Sequence, residues 1–77
     1  MVITLYDFLR MEQSEQYDAV WKGTFLGDRR ENELWIQCYS LQNFYVEVYY
    51  DAGTNKVARL RSFTGIEQLA PYLKGNF

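Results

Sequence analysis

Trp35 and Tyr39 stand four residues apart in one stretch of the chain, and Tyr45 and Tyr49 repeat that spacing in the next. Glu47 lies midway between the second pair, and Arg59 and Arg61 follow two residues apart further on. In extended chain every second side chain shares a face, so these residues can build a surface of aromatic rings bordered by charge. The chemistry of such a surface is recognition, because Trp, Tyr and Arg are the enriched anchors of protein interfaces. Rings flanked by arginine can also stack the bases of single-stranded nucleic acid.

Covalent chemistry has much less to work with. The chain has no histidine and a single cysteine, Cys38. That removes the commonest general base, the Ser–His and Cys–His dyads, and the usual zinc and iron–sulfur ligand sets. Neither a GxxxxGK[ST] loop nor a GxGxxG turn is present to cradle phosphate. The expectation is a protein that is not an enzyme and uses no cofactor and no metal. Cys38 falls on the side of its strand assigned to the core, where a thiol is inert. Glu47 reads as an outward carboxylate paired with Arg59 or Arg61 on the adjacent strand. The mixed signs of Asp28-Arg29-Arg30-Glu31 suit a solvated loop better than a phosphate grip.

Seventy-seven residues make one domain, of which 48% are hydrophobic and 18% aromatic. That is enough to build a core and is unlike a disordered chain. A net charge of −2 and a pI near 4.9 argue against nucleic acid or an anionic membrane as partner. No apolar run approaches the roughly 20 residues that cross a bilayer, and the first residues lack a signal peptide's basic and apolar segments. With one cysteine there is no disulfide framework. A cytoplasmic setting is expected.

The elements that must position these residues form an α+β domain: two N-terminal helices, a four-stranded, mostly antiparallel meander sheet and one C-terminal helix. Thr4 caps the first helix, with Asp7 in its first turn and Leu5, Phe8 and Leu9 on one face. Ser14 caps the second, which carries Tyr17, Val20 and Trp21 and stops at Gly23. Residues 24–27 read as a short strand and 28–32 as a charged turn. Alternation then marks strands over 34–39 and 44–50, with a turn at 41–43. Asp51-Ala52-Gly53-Thr54-Asn55 is a hairpin loop before a last strand over 56–63. Thr64 and Glu67 form a capping box for a final helix with Ile66, Leu69, Ala70 and Leu73 as its apolar face. Pro71 inside that pattern ends or kinks it, and residues 74–77 fray.

Short connections favour helices gathered on one face of the sheet. Leu34, Ile36, Phe44, Val46 and Val48 then point at them, with Leu60 and Ala58 joining according to register. Trp35, Tyr39, Tyr45 and Tyr49 point away, beside Arg59 and Arg61. Three readings of that second face stay open: a protein interface (self or foreign, a homodimer included), a nucleic-acid platform, or a core covered by the first two helices. A one-residue slip would exchange the faces. If the face is open, Tyr49→Ala weakens partner binding and spares the fold; loss of the fold marks Tyr49 as core.

Leu5-Tyr6-Asp7-Phe8, Trp21-Lys22-Gly23, Phe44-Tyr45-Val46-Glu47-Val48, Arg61-Ser62-Phe63 and Leu69-Ala70-Pro71-Tyr72-Leu73, taken together, give the chain a further bearing. In these pieces it resembles a group of small uncharacterised proteins of Bacteroides-type bacteria, often carried on conjugative or other mobile elements. The resemblance spans nearly the whole chain, brings no functional residue with it, implies a cytoplasmic bacterial accessory protein, and lends mild weight to partner binding over enzymology.

Overall fold

Thr4 begins the first helix as its side chain predicts. In the computed structural model, which describes residues 3–73, helix α1 (Leu5–Leu9) opens with a reciprocal cap. The Asp7 N–H donates to Thr4 Oγ1 at 3.1 Å and the Thr4 N–H donates to the Asp7 carboxylate at 3.0 Å, which satisfies two donors that the helix itself cannot. Helix α2 (Gln13–Trp21) starts from Glu12 rather than Ser14. The Glu12 N–H finds the Glu15 carboxylate at 3.1 Å, and Ser14 falls inside the first turn. Gly23, just beyond the α2 cap at Lys22, has to be glycine, since a Cβ there would lie 2.7 Å from the Ser40 carbonyl oxygen.

Strands β1 (Thr24–Glu31), β2 (Leu34–Ser40), β3 (Tyr45–Asp51) and β4 (Lys56–Phe63) form one antiparallel sheet in the order β1-β2-β3-β4. The α+β meander expected from the sequence is therefore the observed architecture. Its first strand is twice as long as expected. Asp28-Arg29-Arg30-Glu31 is not a turn but the second half of β1, paired with Gln37, Ile36, Trp35 and Leu34. An edge strand tolerates that charge because one side of its backbone faces water. The reversal comes at Asn32, whose φ of 56° lies in the left-handed region that Asn accepts. Gln42 and Asn55 reach similar angles, 75° and 59°, in the next two connections.

After β4 the chain makes a 3-10 turn (Ile66–Leu69) and a last helix, α3 (Ala70–Leu73). Thr64 does not cap it; Gly65 holds the cap position with no side-chain bond. Pro71 sits in the first turn of α3, where its missing N–H leaves no bond unmade. The inward residues are Leu69 and Tyr72, three apart as 3-10 geometry places them, while Ile66 is 69% exposed and Ala70 is exposed. The Leu73 side chain and the fraying expected of residues 74–77 lie outside the described residues.

The helices are not gathered on one face. On the first face α1 and α2 bury Phe8 and Val20 against Phe44, Val46 and Val48, with Tyr39, Tyr50, Val57 and Leu60 packed around them. On the second face Leu69 and Tyr72 cover Ile36, Cys38, Tyr49 and Phe63, with Leu34 and Tyr45 beside them. The register explains the split: Ile36 faces Tyr49 and Cys38 faces Glu47, whereas Trp35 faces Tyr50 and Tyr39 faces Val46. Leu34 and Ile36 thus point at α3, not at the N-terminal helices. Of the two residues on β4, Leu60 packs on the first core and Ala58 is exposed, displaced by an irregularity of register opposite Tyr49 and Tyr50.

Candidate functional site

Glu47 sits in the middle of β3 with 2% of its surface exposed. It is a buried carboxylate rather than the outward one expected, because β3 turns it toward α3. Four donors meet its two oxygens. Tyr49 Oη donates to Oε1 at 3.0 Å and Arg61 Nη1 to the same oxygen at 2.8 Å. Tyr72 Oη donates to Oε2 in a short hydrogen bond, and Arg29 Nη2 donates to Oε2 at 3.4 Å. Arg29 Nε also reaches Tyr72 Oη at 3.3 Å and its Nη1 reaches Glu31 at 2.7 Å, while Arg61 Nη2 holds Gln68 at 2.6 Å. Burial alone would raise the Glu47 pKa, but the hydrogen bonds from Tyr72, Arg61 and Tyr49 and the charge of Arg29 outweigh it and hold the carboxyl below 4.5. Burial, then the bond to Glu47, pushes the Tyr72 phenol up. Residues of β1, β3, β4, the 3-10 turn and α3 are tied together here. With every acceptor position filled from within the chain and no approach for solvent, Glu47 acts as a clasp that fixes α3 on the sheet.

The expected cationic partner of Glu47 is Arg61, directly opposite it, and not Arg59. Arg59 instead lies over the Tyr49 ring with its guanidinium 4.3 Å from the centroid. Tyr49 is 4% exposed and belongs to the second core, so it is no surface anchor. Tyr45, half-buried, packs on Phe63 with centroids 5.4 Å apart. The expected quartet of rings on one open face therefore does not form. Tyr45 and Tyr49 share the second face with Glu47, Arg59 and Arg61, and Trp35 and Tyr39 share the first.

On that first face a different aromatic group assembles at the border of the helical cover, where α2 ends. Trp21, at the end of α2, meets Tyr39 edge-on at 5.6 Å, and Phe25 of β1 meets the same ring at 5.5 Å. Trp21 is 46% and Phe25 52% exposed. Two residues along β2 from Tyr39, Gln37 accepts the Tyr39 hydroxyl at 3.3 Å. Two further, Trp35 lies 6.0 Å from Tyr50, and Arg30 stacks on the Trp35 ring at 5.3 Å. Trp35 Nε1 donates to Asp28 at 2.7 Å. The strip from Trp35 to Tyr39 is about 13 Å long at the rise of a strand. The sequence places Trp21 on the second helix and Phe25 in a short strand but assigns neither to the contact surface. For Phe25 the signal lies in β1, which continues through its charged residues to pair with all of β2 and sets Phe25 opposite Tyr39.

A groove of about 530 Å³ opens beside this strip between α2, the start of β1 and the β2–β3 connection, floored by Ile3, Met11, Ala19 and Leu41 and rimmed by Glu15, Asp18 and Lys22. Among the described residues no group of three His, Cys, Asp or Glu side chains is placed to hold a metal ion, and no helix is long and apolar enough to cross a membrane. Comparison with protein-family models, with curated proteins and with solved structures finds no significant match to the chain.

Proposed function

We propose that the protein is a non-catalytic binding module whose contact surface is the aromatic strip of Trp21, Phe25, Trp35 and Tyr39, with Arg30 at its border. One observation carries the reading: two exposed rings, Trp21 at the end of α2 and Phe25 on β1, meet the half-buried Tyr39, and the half-buried Trp35 continues the same face along β2 beyond the N-terminal helices. Burying such rings is worth more than their number suggests, since Trp, Tyr and Arg dominate the energetics of protein interfaces. The half-buried ring of Tyr45 and the buried ring of Tyr49 belong to the core on the opposite face of the sheet. A cytoplasmic setting fits the lone, buried, unpaired thiol of Cys38.

Single-stranded nucleic acid on the same rings is disfavoured. Asp28 sets a carboxylate against Trp35, and the chain as a whole is acidic. Oligonucleotides titrated at low salt are expected to leave tryptophan fluorescence unchanged, where phosphate contacts would give a salt-dependent shift.

The decisive measurement places a photo-crosslinking residue at Gln37, between the Trp35 and Tyr39 rings, in the producing cell. A discrete protein adduct should form, and Phe25→Ala should weaken it about tenfold, a hot-spot loss of about 1.4 kcal/mol, with the melting temperature unchanged. No adduct, or one indifferent to both Phe25→Ala and Trp21→Ala, would overturn the reading.

A further inference from the structure

Strands β1 and β4 are the two edges of the sheet, and among the described residues no backbone group pairs with the outer side of either. A free edge is a template for another strand unless charge or irregularity guards it. The two edges differ in this respect. β4 carries Lys56, Arg59 and Arg61 and no acidic residue, so two copies of it repel. β1 carries Asp28, Arg29, Arg30 and Glu31, equal numbers of each sign.

The geometry also fixes a register for self-pairing. A bulge between Phe25 and Gly27 interrupts β1 at one end, and the left-handed turn at Asn32 closes it at the other. The regular stretch is Gly27, Asp28, Arg29, Arg30 and Glu31, and its centre is Arg29. A two-fold axis that keeps like faces of two sheets on the same side must pass through a residue, because side chains alternate. With the axis at Arg29, Asp28 of each copy stands opposite Arg30 of the other, twice, on the face of the aromatic strip. Gly27 stands opposite Glu31 and brings no side chain of its own, but Tyr72 packs 3.5 Å from where a Gly27 Cβ would lie, so Glu31 stays turned toward its own Arg29. The two Arg29 side chains meet on the second face, but each is already held by its own Glu31 at 2.7 Å and its own Glu47 at 3.4 Å. Shifting the axis to residue 28 or 30 stacks Asp28 on Asp28 or Arg30 on Arg30 and runs the pairing into the bulge or the turn.

We infer that the β1 edge is a homodimer contact, in which two copies pair antiparallel about Arg29 to make one eight-stranded sheet held in register by reciprocal Asp28–Arg30 pairs. This names a second copy of the chain as partner and rests on the reading of the protein as a binding module. The contact is small and the association correspondingly reversible.

Sedimentation equilibrium on the intact protein, from micromolar to millimolar, tests it. The weight-average mass should climb from 9.2 kDa toward twice that value. Asp28→Arg and Arg30→Asp, each alone, juxtapose like charges and should raise the dissociation constant at least tenfold, with circular dichroism reporting an unchanged fold. An equimolar mixture of the two variants restores both opposite-charge pairs and should associate as tightly as wild type. A wild-type protein that stays at 9.2 kDa overturns the inference, as do variants that dimerise like wild type or a mixture that fails to recover. Asp28 and Arg30 also touch Trp35, so Phe25→Ala, outside the regular stretch 27–31, separates the proposals: it should weaken the Gln37 adduct and leave the dimer mass unchanged, and either proposal can fail without the other.

Discussion

Glu47→Ala is expected to remove about 3 kcal/mol of folding free energy, although Glu47 touches nothing outside the protein. The substitution leaves the buried hydroxyls of Tyr49 and Tyr72 without their acceptor and strips Arg29 and Arg61 of the charge they surround. A domain of this length has roughly 4–12 kcal/mol in total, so the loss is a large share of it. The melting temperature should fall by roughly 12–24 °C in a thermal scan. Glu47→Gln, which keeps an acceptor oxygen but not the charge, should cost less. The two variants together separate charge from hydrogen bonding. The effect also has a pH signature. The folded-state pKa of Glu47 is depressed, so its contribution is complete above the unfolded value near 4.5 and is lost as pH falls through the folded value. The stability gap between wild type and Glu47→Gln should therefore narrow as urea titrations are moved from neutral pH into acid. A gap that stays constant with pH would show that Glu47 is not ionised in the folded protein.

Phe44→Ala is the counterpart on the other face, with an expected loss of about 3–5 kcal/mol. Phe44 is 1% exposed, and its ring centroid lies 5.3 Å from that of Phe8 on α1. Deleting it opens a cavity where α1, α2 and β3 converge, among Val20, Leu41 and Val46. Phe44→Leu, which conserves most of the volume, should cost less than about 1.5 kcal/mol. Urea denaturation of the pair checks this. Equal costs would mean that the site collapses freely and that α1 is only loosely seated.

Most of the elements were legible in the sequence, the second half of β1 and the form of the last helix excepted. The alternation of Val46, Val48 and Tyr50 with Tyr45, Glu47 and Tyr49 marks β3, and Thr4 with Asp7 marks the first cap, because both patterns are local. What was not legible is which face of β2 joins which face of β3. Leu34, Ile36 and Cys38 are apolar, and so are Trp35 and Tyr39. When helices cover both sides of a sheet, hydrophobicity no longer says which side is in. The decision falls to the connection at 41–44, one residue of which exchanges every partner. That slip is why the expected quartet of rings dissolved into two pairs.

Glu47 was hidden for a related reason. Its adjacent partner, Arg61, could be read from strand pairing. Arg29, 18 residues upstream, and Tyr72, 25 residues downstream, come to it only through the meander and the final helix. A carboxylate whose donors are this distant looks solvated in a sequence and is buried in the fold. Phe25 was missed because Asp28 and its neighbours resemble a turn in composition, while an edge strand accepts the same residues, and Trp21 because its contact with Tyr39 joins α2 to β2, 18 residues on.

The segment that carries Leu69 and Tyr72 lies over the sheet like a cover, with Cys38 beneath it. Burial pushes the Cys38 thiol up to about 12, and Glu47 nearby adds to the effect, so the folded protein offers almost no thiolate at neutral pH. The chain thereby carries its own clock for motion. An alkylating reagent can act on Cys38 only during the moments when the last turn lifts from the sheet or the whole domain opens. The labelling rate, compared with that of the unfolded chain, becomes a direct count of those moments. Tyr72→Phe, which deletes one donor of the clasp and leaves the ring in place, should quicken the clock more than it lowers the melting temperature.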